Sequence, residues 1–290
     1  MTTGQVTVGV DGSLVAVRAL DRAADEAALR ATTLEVVYAV PDLDEAGPIL
    51  ASAVSRVHVR HPGLPVVAVP VEGHSAAVLA EHGRDSVLTV VGCRNMGGFA
   101  GTLFGSVSSR LAAHAHGPLL VVRGDSPGHS YGEVLLVLDD ETDAIAAIDA
   151  TDAIDATPAA YAFQEAALRG ARLRFLRFSA HRHPVAGLVP HGGTGPAAPH
   201  PANPEESAVV RERRTRVHRV CTEIRSAATR TTRELLDATR TADLVVIARR
   251  PEPGGHGRRP GPAARTLLHR AHCPVLIVPA GPDGAGGSYA

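Results

Sequence analysis

The amino-acid sequence predicts an α/β protein built from two tandem doubly wound parallel-sheet sandwiches. Two observations lead to this fold class. First, short continuous apolar runs alternate with helical patterns along the chain, as is typical of parallel strands buried on both faces. Second, the whole pattern occurs twice. Alternation of strand and helix, repeated once, favours two Rossmann-like sandwiches in sequence over a single domain.

The elements of the first half follow in a regular order. Strands are predicted at residues 6–10, 34–40, 66–71, 87–91 and 119–122. Helical patterns occupy residues 15–30, 76–84 and 107–116, and a variable segment separates the second strand from the third. Each strand is an apolar run of 4 to 7 residues and therefore suits a buried central position.

The second half repeats the first in recognisable pieces. "VTVGVD", ending at Asp11, corresponds to "VLLVLD", ending at Asp139, and "EAALR" begins at both Glu26 and Glu165. The closing strands match as well, in "HAHGPLLVV" and "HRAHCPVLIV". Two insertions, at residues 140–157 and 181–204, account for the greater length of the second half. We therefore expect domains at residues 1–124 and 130–280, followed by a flexible tail at 281–290.

Composition narrows the function classes. The chain has 290 residues, a formal net charge of -1 and 44% hydrophobic residues, so it carries no electrostatic signature of nucleic-acid binding and no run long enough to span a membrane. Its 3 cysteines are far apart and odd in number, which indicates free thiols rather than a disulfide framework or a metal site. The first residues show no secretion signal. We expect a cytoplasmic protein without a metal site.

The predicted topology indicates where a ligand would bind. Doubly wound sheets hold ligands beyond the carboxyl ends of their strands, so Asp11, Val40 and Gly92 are expected to converge. The segment "VVGCRNMGGFAGTLFGS", residues 90–106, begins with the end of the fourth predicted strand, at Val91. It leads into a helix at Gly105 and Ser106. The chain contains no lysine, so a phosphate here would be held by backbone N–H groups and the helix dipole.

The spacing of this loop resembles the G-x2-G-x9-G-(S/T) signature of nucleotide-binding universal stress proteins. The resemblance extends to "VGVDGS", "EAALR" and "HAHGPLLVV" and covers both halves. It implies the adenine nucleotide alpha hydrolase-like variant of the fold and a stress-response protein that binds ATP, ADP or AMP. It also implies that adenine, ribose and phosphates are contacted by Asp11, Val40, Val91, Gly92, Arg94, Asn95, Gly105, Ser106 and Val107. Asn95 replaces the family's second glycine, which predicts weakened binding.

The second half keeps one glycine of this signature, Gly261 in place of Gly105, and departs from it at the other positions. Ala248, Pro251 and Pro262 stand where the first half has Gly92, Asn95 and Ser106. Because proline lacks an N–H and cannot adopt a left-handed turn, we expect the second half not to bind ATP. The resemblance implies that it completes a pseudo-dimer through residues 119–122 and 275–278, and a homodimer of whole chains is a further option.

Other interpretations of the same residues stay open. "DGS" after the first strand is also a common helix cap, and Ser106 could cap its helix with or without a phosphate. Ser108, Ser109 and His114 lack the elbow and acidic partner of a serine hydrolase. Slow ATP hydrolysis and a nucleotide-free interaction module are the alternative functions; we expect no well-defined enzyme activity, and a requirement for Mg2+ stays undecided.

Overall fold

The strands of the two halves join in one sheet. The computed structural model describes residues 4–41, 43–93, 106–115, 117–123, 130–138, 158–178, 227–229, 231–249 and 261–279. The strands within these ranges are β1 Gln5–Gly9, β2 Leu34–Val40, β3 Val66–Glu72, β4 Ser86–Cys93, β5 Leu119–Arg123, β6 Glu133–Leu138, β7 Arg172–Phe178, β8 Ala227–Thr229, β9 Leu244–Arg249 and β10 Val275–Pro279. They form a 10-stranded sheet in the order β3-β2-β1-β4-β5-β10-β9-β6-β7-β8.

This strand order is the same in each half when read from the middle of the sheet outward. β1 lies between β2 and β4 in the first half, and β6 lies between β7 and β9 in the second. All pairings within a half are parallel, whereas β5 and β10 are antiparallel with Val121 opposite Val275 and Leu120 opposite Leu276. The predicted fold class, two doubly wound parallel-sheet units, is confirmed.

Helices cover both faces of the sheet. The α-helices within the described ranges are α1 Leu14–Leu29, α2 Ala46–Arg60, α3 Ser75–His82, α4 Ser106–His114, α5 Pro158–Arg169, α6 Thr232–Ala238 and α7 Pro262–Arg270. α1, α2 and α5 contribute to the apolar core on one face, and α3, α4, α6 and α7 contribute to the core on the other. The result is a three-layer α/β/α arrangement with a core on each side of the sheet.

Two details differ from the sequence-based expectation. The segment predicted to be variable contains α2. Its first turn has the sequence "AGP", which is typical of a loop, but proline is tolerated there because the first helical N–H groups have no intrahelical partner. β3 is an edge strand rather than one buried on both faces, with Val67 and Pro70 among its exposed residues. Pro70 suits this edge, since proline cannot donate to a further strand.

Several predictions concern residues outside the described ranges. These predictions concern both insertions at 140–157 and 181–204 and the tail at 281–290; residues 124–129, at the boundary of the two predicted domains, also lie outside. Within the part of the chain that the structure does describe, no helix combines the length and apolar character needed to cross a bilayer.

Candidate functional site

The candidate site of the first half lies where the chain changes direction across the sheet. From β1 the chain passes to β2 on one side, and from β4 it passes to β5 on the other. The helices that follow these two strands, α1 and α4, pack on opposite faces. In doubly wound folds this is the point at which a crevice opens above the carboxyl ends of the strands.

The end of β1 is shaped by a short polar turn. Gly12 has φ of +73°, a left-handed conformation that glycine adopts without strain. The N–H of Ser13 donates to Oδ1 of Asp11 at 3.0 Å, and the Ser13 hydroxyl accepts from the N–H of Ala16 at 3.3 Å. Ser13 is therefore the N-cap of α1. Asp11 supports the cap from outside and keeps its carboxylate exposed at the end of the strand.

Gly92 lies directly beneath the first turn of α1. A Cβ at this position would be 2.6 Å from Cγ1 of Val15 and 2.7 Å from its carbonyl oxygen. Side-chain carbons do not approach backbone oxygens this closely, so only glycine allows α1 to sit at its observed distance from β4. Gly92 therefore sets the position of the start of α1 relative to β4. Because the Asp11 turn directly precedes α1, its position relative to β4 is set as well.

A serine tethers α4 to the same point. The hydroxyl of Ser108 donates to the carbonyl oxygen of Gly92 at 3.4 Å, and Ser108 is 2% exposed. The sequence presented Ser108 only as a weak candidate nucleophile; its burial and this bond show a positioning residue instead. Because Ser108 is in the first turn of α4, the bond draws the N-terminal end of that helix to the end of β4.

The apolar residues of the predicted site are buried or half-buried. Val40 is 2% exposed and Val91 3%, and both side chains belong to the cores beneath the sheet surface. The Val40 carbonyl accepts from the N–H of Gly73 at 3.2 Å. Val107 is half-buried beside the second core. The side chains of Val40 and Val91 are therefore part of the apolar cores and do not point to a ligand above the strands.

The structure thus brings together part of the predicted site. Asp11, Gly92 and the start of α4 border the switch point, while Val40 ends the neighbouring strand. Arg94, Asn95 and Gly105 lie outside the described residues, and Ser106 is described as the first residue of α4 without its side chain.

A buried cation lies at the end of β5, beside the last residue of β4. Cys93, which is 4% exposed, is paired in register with Arg123 of β5. Burial lowers the pKa of Arg123, and the neighbouring Cys93 partly opposes this effect. The Arg123 guanidinium donates to the carbonyl of Leu268 in the second half. Cys93 and Cys273 are both buried free thiols, and Cys221 lies outside the described residues.

The equivalent position in the second half is built differently. α7 has Gly261 as its N-cap and Pro262 at its first position, so one N–H that would point at a ligand is missing. Arg249, 3% exposed, ends β9 at the position where β4 has Cys93. Asp139 and Pro251 lie outside the described ranges. Among the described residues, no group of three or more His, Cys, Asp or Glu could hold a metal ion.

Comparison with known proteins gives a consistent result for both halves. The sequence model of the universal stress protein family matches residues 3–123 and 143–279. A universal stress protein of Mycobacterium bovis is 26% identical over 94% of this chain and 94% of its own length. One of Mycobacterium tuberculosis is 27% identical over 96% of this chain and 97% of its own. The crystal structure of a universal stress protein from Archaeoglobus fulgidus covers 97% of this chain and 100% of its own, with a TM-score of 0.61 and 13% identity.

Proposed function

Because this chain belongs to the universal stress protein family, we propose that its first half binds ATP or a related adenine nucleotide above the carboxyl ends of β1 and β4. The observation that carries the proposal is the bond from Ser108 to the Gly92 carbonyl, which holds the N-terminal end of α4 beside the glycine on which α1 rests. These contacts join both walls of the crevice at one residue.

The phosphates are assigned to the start of α4. The first N–H groups of a helix have no intrahelical partner, and the helix dipole favours negative charge at this end. Ser106 begins the helix, and Gly105, Asn95 and Arg94 precede it in the loop whose spacing matches the family signature. The chain has no lysine, so the cradle consists of main-chain donors with Ser106 and Arg94.

The adenine and ribose are assigned to the strand ends. The exposed carboxylate of Asp11 can accept from the exocyclic amine of adenine, and Val40 offers main-chain atoms at the end of β2. Val91 and Gly92 lie between these positions and the phosphates, with Val107 at the base of α4. The proposed site thus combines buried apolar residues with a few polar groups, as is typical of small-molecule sites.

The second half, proposed to span residues 130–280, is a non-binding partner of the first domain at 1–124. Pro262 at the first position of α7 and the buried Arg249 at the end of β9 support this assignment. The antiparallel pairing of β5 with β10 is the contact by which it would complete a pseudo-dimer. Two whole chains could associate further through other surfaces.

The cellular role proposed is that of a cytoplasmic stress-response protein which responds to nucleotide by binding rather than by turnover. Buried free thiols at Cys93 and Cys273 are compatible with a reducing compartment. Slow ATP hydrolysis is the alternative activity of the same site. If it occurs, its rate should fall together with nucleotide affinity in any variant of the first-half site.

The test is calorimetric titration of the full chain with ATP, ADP, AMP and cAMP, with and without Mg2+. The decisive variant is Ser106→Pro, which gives α4 the residue that starts α7. Proline is well tolerated at this helix position, so the variant should fold, yet it removes one N–H and one hydroxyl from the phosphate cradle. A charge-assisted hydrogen bond contributes about 1.5–3 kcal/mol, so loss of even one of these two donors should lower affinity about 10- to 140-fold.

The matched control is Pro262→Ser at the equivalent position of α7, which should leave nucleotide affinity unchanged. One site per chain, weakened by Ser106→Pro alone, supports the proposal. An unchanged affinity in Ser106→Pro would move the phosphates away from α4. Two sites per chain would show that the second half also binds, and no binding by the wild type would favour the interaction module.

A further inference from the structure

The repeated sequence "EAALR" lies at the junction of the two halves. α1 packs on β1, β4 and β5, and α5 packs on β6, β9 and β10, so the two helices flank the antiparallel seam between β5 and β10 on the same face of the sheet. Their last turns carry the two copies of the repeated segment, residues 26–30 and 165–169. The nucleotide site proposed above lies at the opposite end of α1.

Four charged side chains meet here in a reciprocal pattern. Arg30 donates through Nη1 to Oε2 of Glu26 in its own helix and through Nη2 to Oε1 of Glu165 in the other half. Arg169 donates through Nη1 to Oε2 of Glu165 in its own helix and through Nη2 to Oε1 of Glu26. Exchanging the two halves reproduces the same atoms in the same roles, so the network has local two-fold symmetry.

The network is largely removed from solvent. The exposed fractions of the four side chains are 2% for Glu26, 8% for Glu165, 14% for Arg30 and 11% for Arg169. A carboxylate buried to this degree is costly unless its charge is neutralised, and each carboxylate here has at least one arginine from each half. Part of the neutralising charge on each acid therefore comes from the other half.

The balance of charge around Glu26 agrees with this arrangement. Burial by itself would raise the pKa of Glu26, but the positive charges of Arg22, Arg169 and Arg30 outweigh it and lower the pKa. Arg22 adds an ion pair from within α1 at 2.8 Å. The arginine from the second half thus helps to keep the first-half acid ionised.

We infer that the repeated "EAALR" segment is a self-complementary docking surface whose partner is the second copy of the same segment, and that it specifies how the two halves pair. Each copy carries one acid and one base a single helical turn apart, so two copies facing each other across a two-fold axis satisfy all their charges. This inference concerns the junction of the halves and does not depend on nucleotide binding.

The competing explanation is that the glutamate and arginine of each copy stabilise only their own helix. Glutamate and arginine four residues apart stabilise an exposed helix by a few tenths of a kcal/mol without any partner, so the contacts within each copy could suffice. Exchanging the two charges inside one copy separates these explanations, because it keeps the intrahelical pair and inverts the charges presented to the other half.

The experiment compares three variants of the full chain in an Arg22→Gln background, so that a new cation at position 26 does not face a second one. The first-half exchange is Glu26→Arg with Arg30→Glu, the second-half exchange is Glu165→Arg with Arg169→Glu, and the third variant combines them. Differential scanning calorimetry measures the midpoint and the number of unfolding transitions. Circular dichroism checks helix content.

Each single exchange places like charges opposite each other in the buried seam and should lower Tm by roughly 10 °C or split the transition in two. The combined exchange restores opposite charges across the seam and should recover most of the loss. Single exchanges that leave Tm unchanged, or a combined exchange whose loss is the sum of the two, would overturn the inference.

If a single exchange does not fold, milder variants answer the same question. Arg30→Gln, Glu165→Gln and the double variant form a cycle across the seam, and Glu81→Gln, which breaks the exposed pair with Arg84, is the matched control. The inference requires the two seam changes to be strongly non-additive, with the double variant close to either single one. Additive losses would refute it.

Discussion

Replacing Gly92 by alanine tests how closely α1 approaches the candidate crevice. The new Cβ would lie 2.6 Å from Cγ1 of Val15, 2.7 Å from its carbonyl oxygen and 3.0 Å from its carbonyl carbon. An ordinary contact begins near 3.4 Å, so the helix backbone must retreat by about 0.7 Å at the oxygen. The Val15 side chain cannot simply rotate away, since β-branched residues have one strongly preferred rotamer in a helix.

The cost of this displacement follows from its position. Overpacking in a close-packed region costs about 1–3 kcal/mol, and in a domain of this size each kcal/mol lowers Tm by about 2–4 °C. We therefore expect Gly92→Ala to reduce Tm by about 2–12 °C in a calorimetric or circular-dichroism melt. Nucleotide affinity should fall as well, because the shift of α1 carries the Asp11 turn with it.

Gly47→Ala is the matched control for the same substitution in the same half. Gly47 is the second residue of α2 and a Cβ there would have no neighbour within 4 Å, so alanine should maintain or raise Tm. If Gly92→Ala melts at the temperature of Gly47→Ala and binds nucleotide as the wild type does, then α1 has room to spare and Gly92 has no positioning role.

Three further predictions follow from described residues. The pKa of Glu26 is lowered from its ordinary value of 4.5, so the ionised side chain contributes to stability above about pH 4.5. This contribution is lost as pH falls through the lowered pKa. The difference in Tm between wild type and Glu26→Gln should therefore shrink below about pH 4.5 and stay constant from pH 6 to 8. Burial raises the pKa of Cys273 to about 12, so iodoacetamide at pH 8 should label this thiol, identified by mass spectrometry of its peptide, only after unfolding; rapid labelling of the native chain would contradict its burial. Thr231 caps α6 by accepting from the N–H of Glu234 at 3.2 Å, so Thr231→Ala should cost about 0.5–2 kcal/mol in urea unfolding, whereas Thr231→Ser should cost little.

Much of the fold could be predicted from the sequence because parallel strands buried on both faces have continuous apolar sequences. The runs at 6–10, 34–40 and 119–122 coincide with β1, β2 and β5 to within a residue or two. α2 was missed because glycine and proline at its start resemble a loop, and a helix whose first turn tolerates proline cannot be separated from a turn by local pattern alone. The exposure of β3 depends on its being the outermost strand, which is a property of the sheet order and not of the run itself.

The candidate site was only partly predictable for a related reason. Strand ends and a glycine-rich loop are visible in sequence, so Asp11 and Gly92 could be placed at one edge of the sheet. The tether from Ser108 could not, because its partner is a main-chain carbonyl 16 residues earlier and no side-chain pattern marks it. Similarly, "EAALR" served in the sequence only as a sign of duplication, since the contact it makes joins residues 135 and 143 positions apart.

The two repeated motifs of this chain have diverged to different degrees, and their geometry accounts for the difference. Each strand-end crevice belongs to one half, so a change such as proline at 262 alters the second crevice and leaves Ser106 and its surroundings as they were. In the seam, by contrast, Glu26 and Glu165 each depend on arginines from both halves. A substitution in one copy of "EAALR" would therefore remove charge partners from both copies, whereas a substitution in one glycine-rich loop would alter the crevice of one half only.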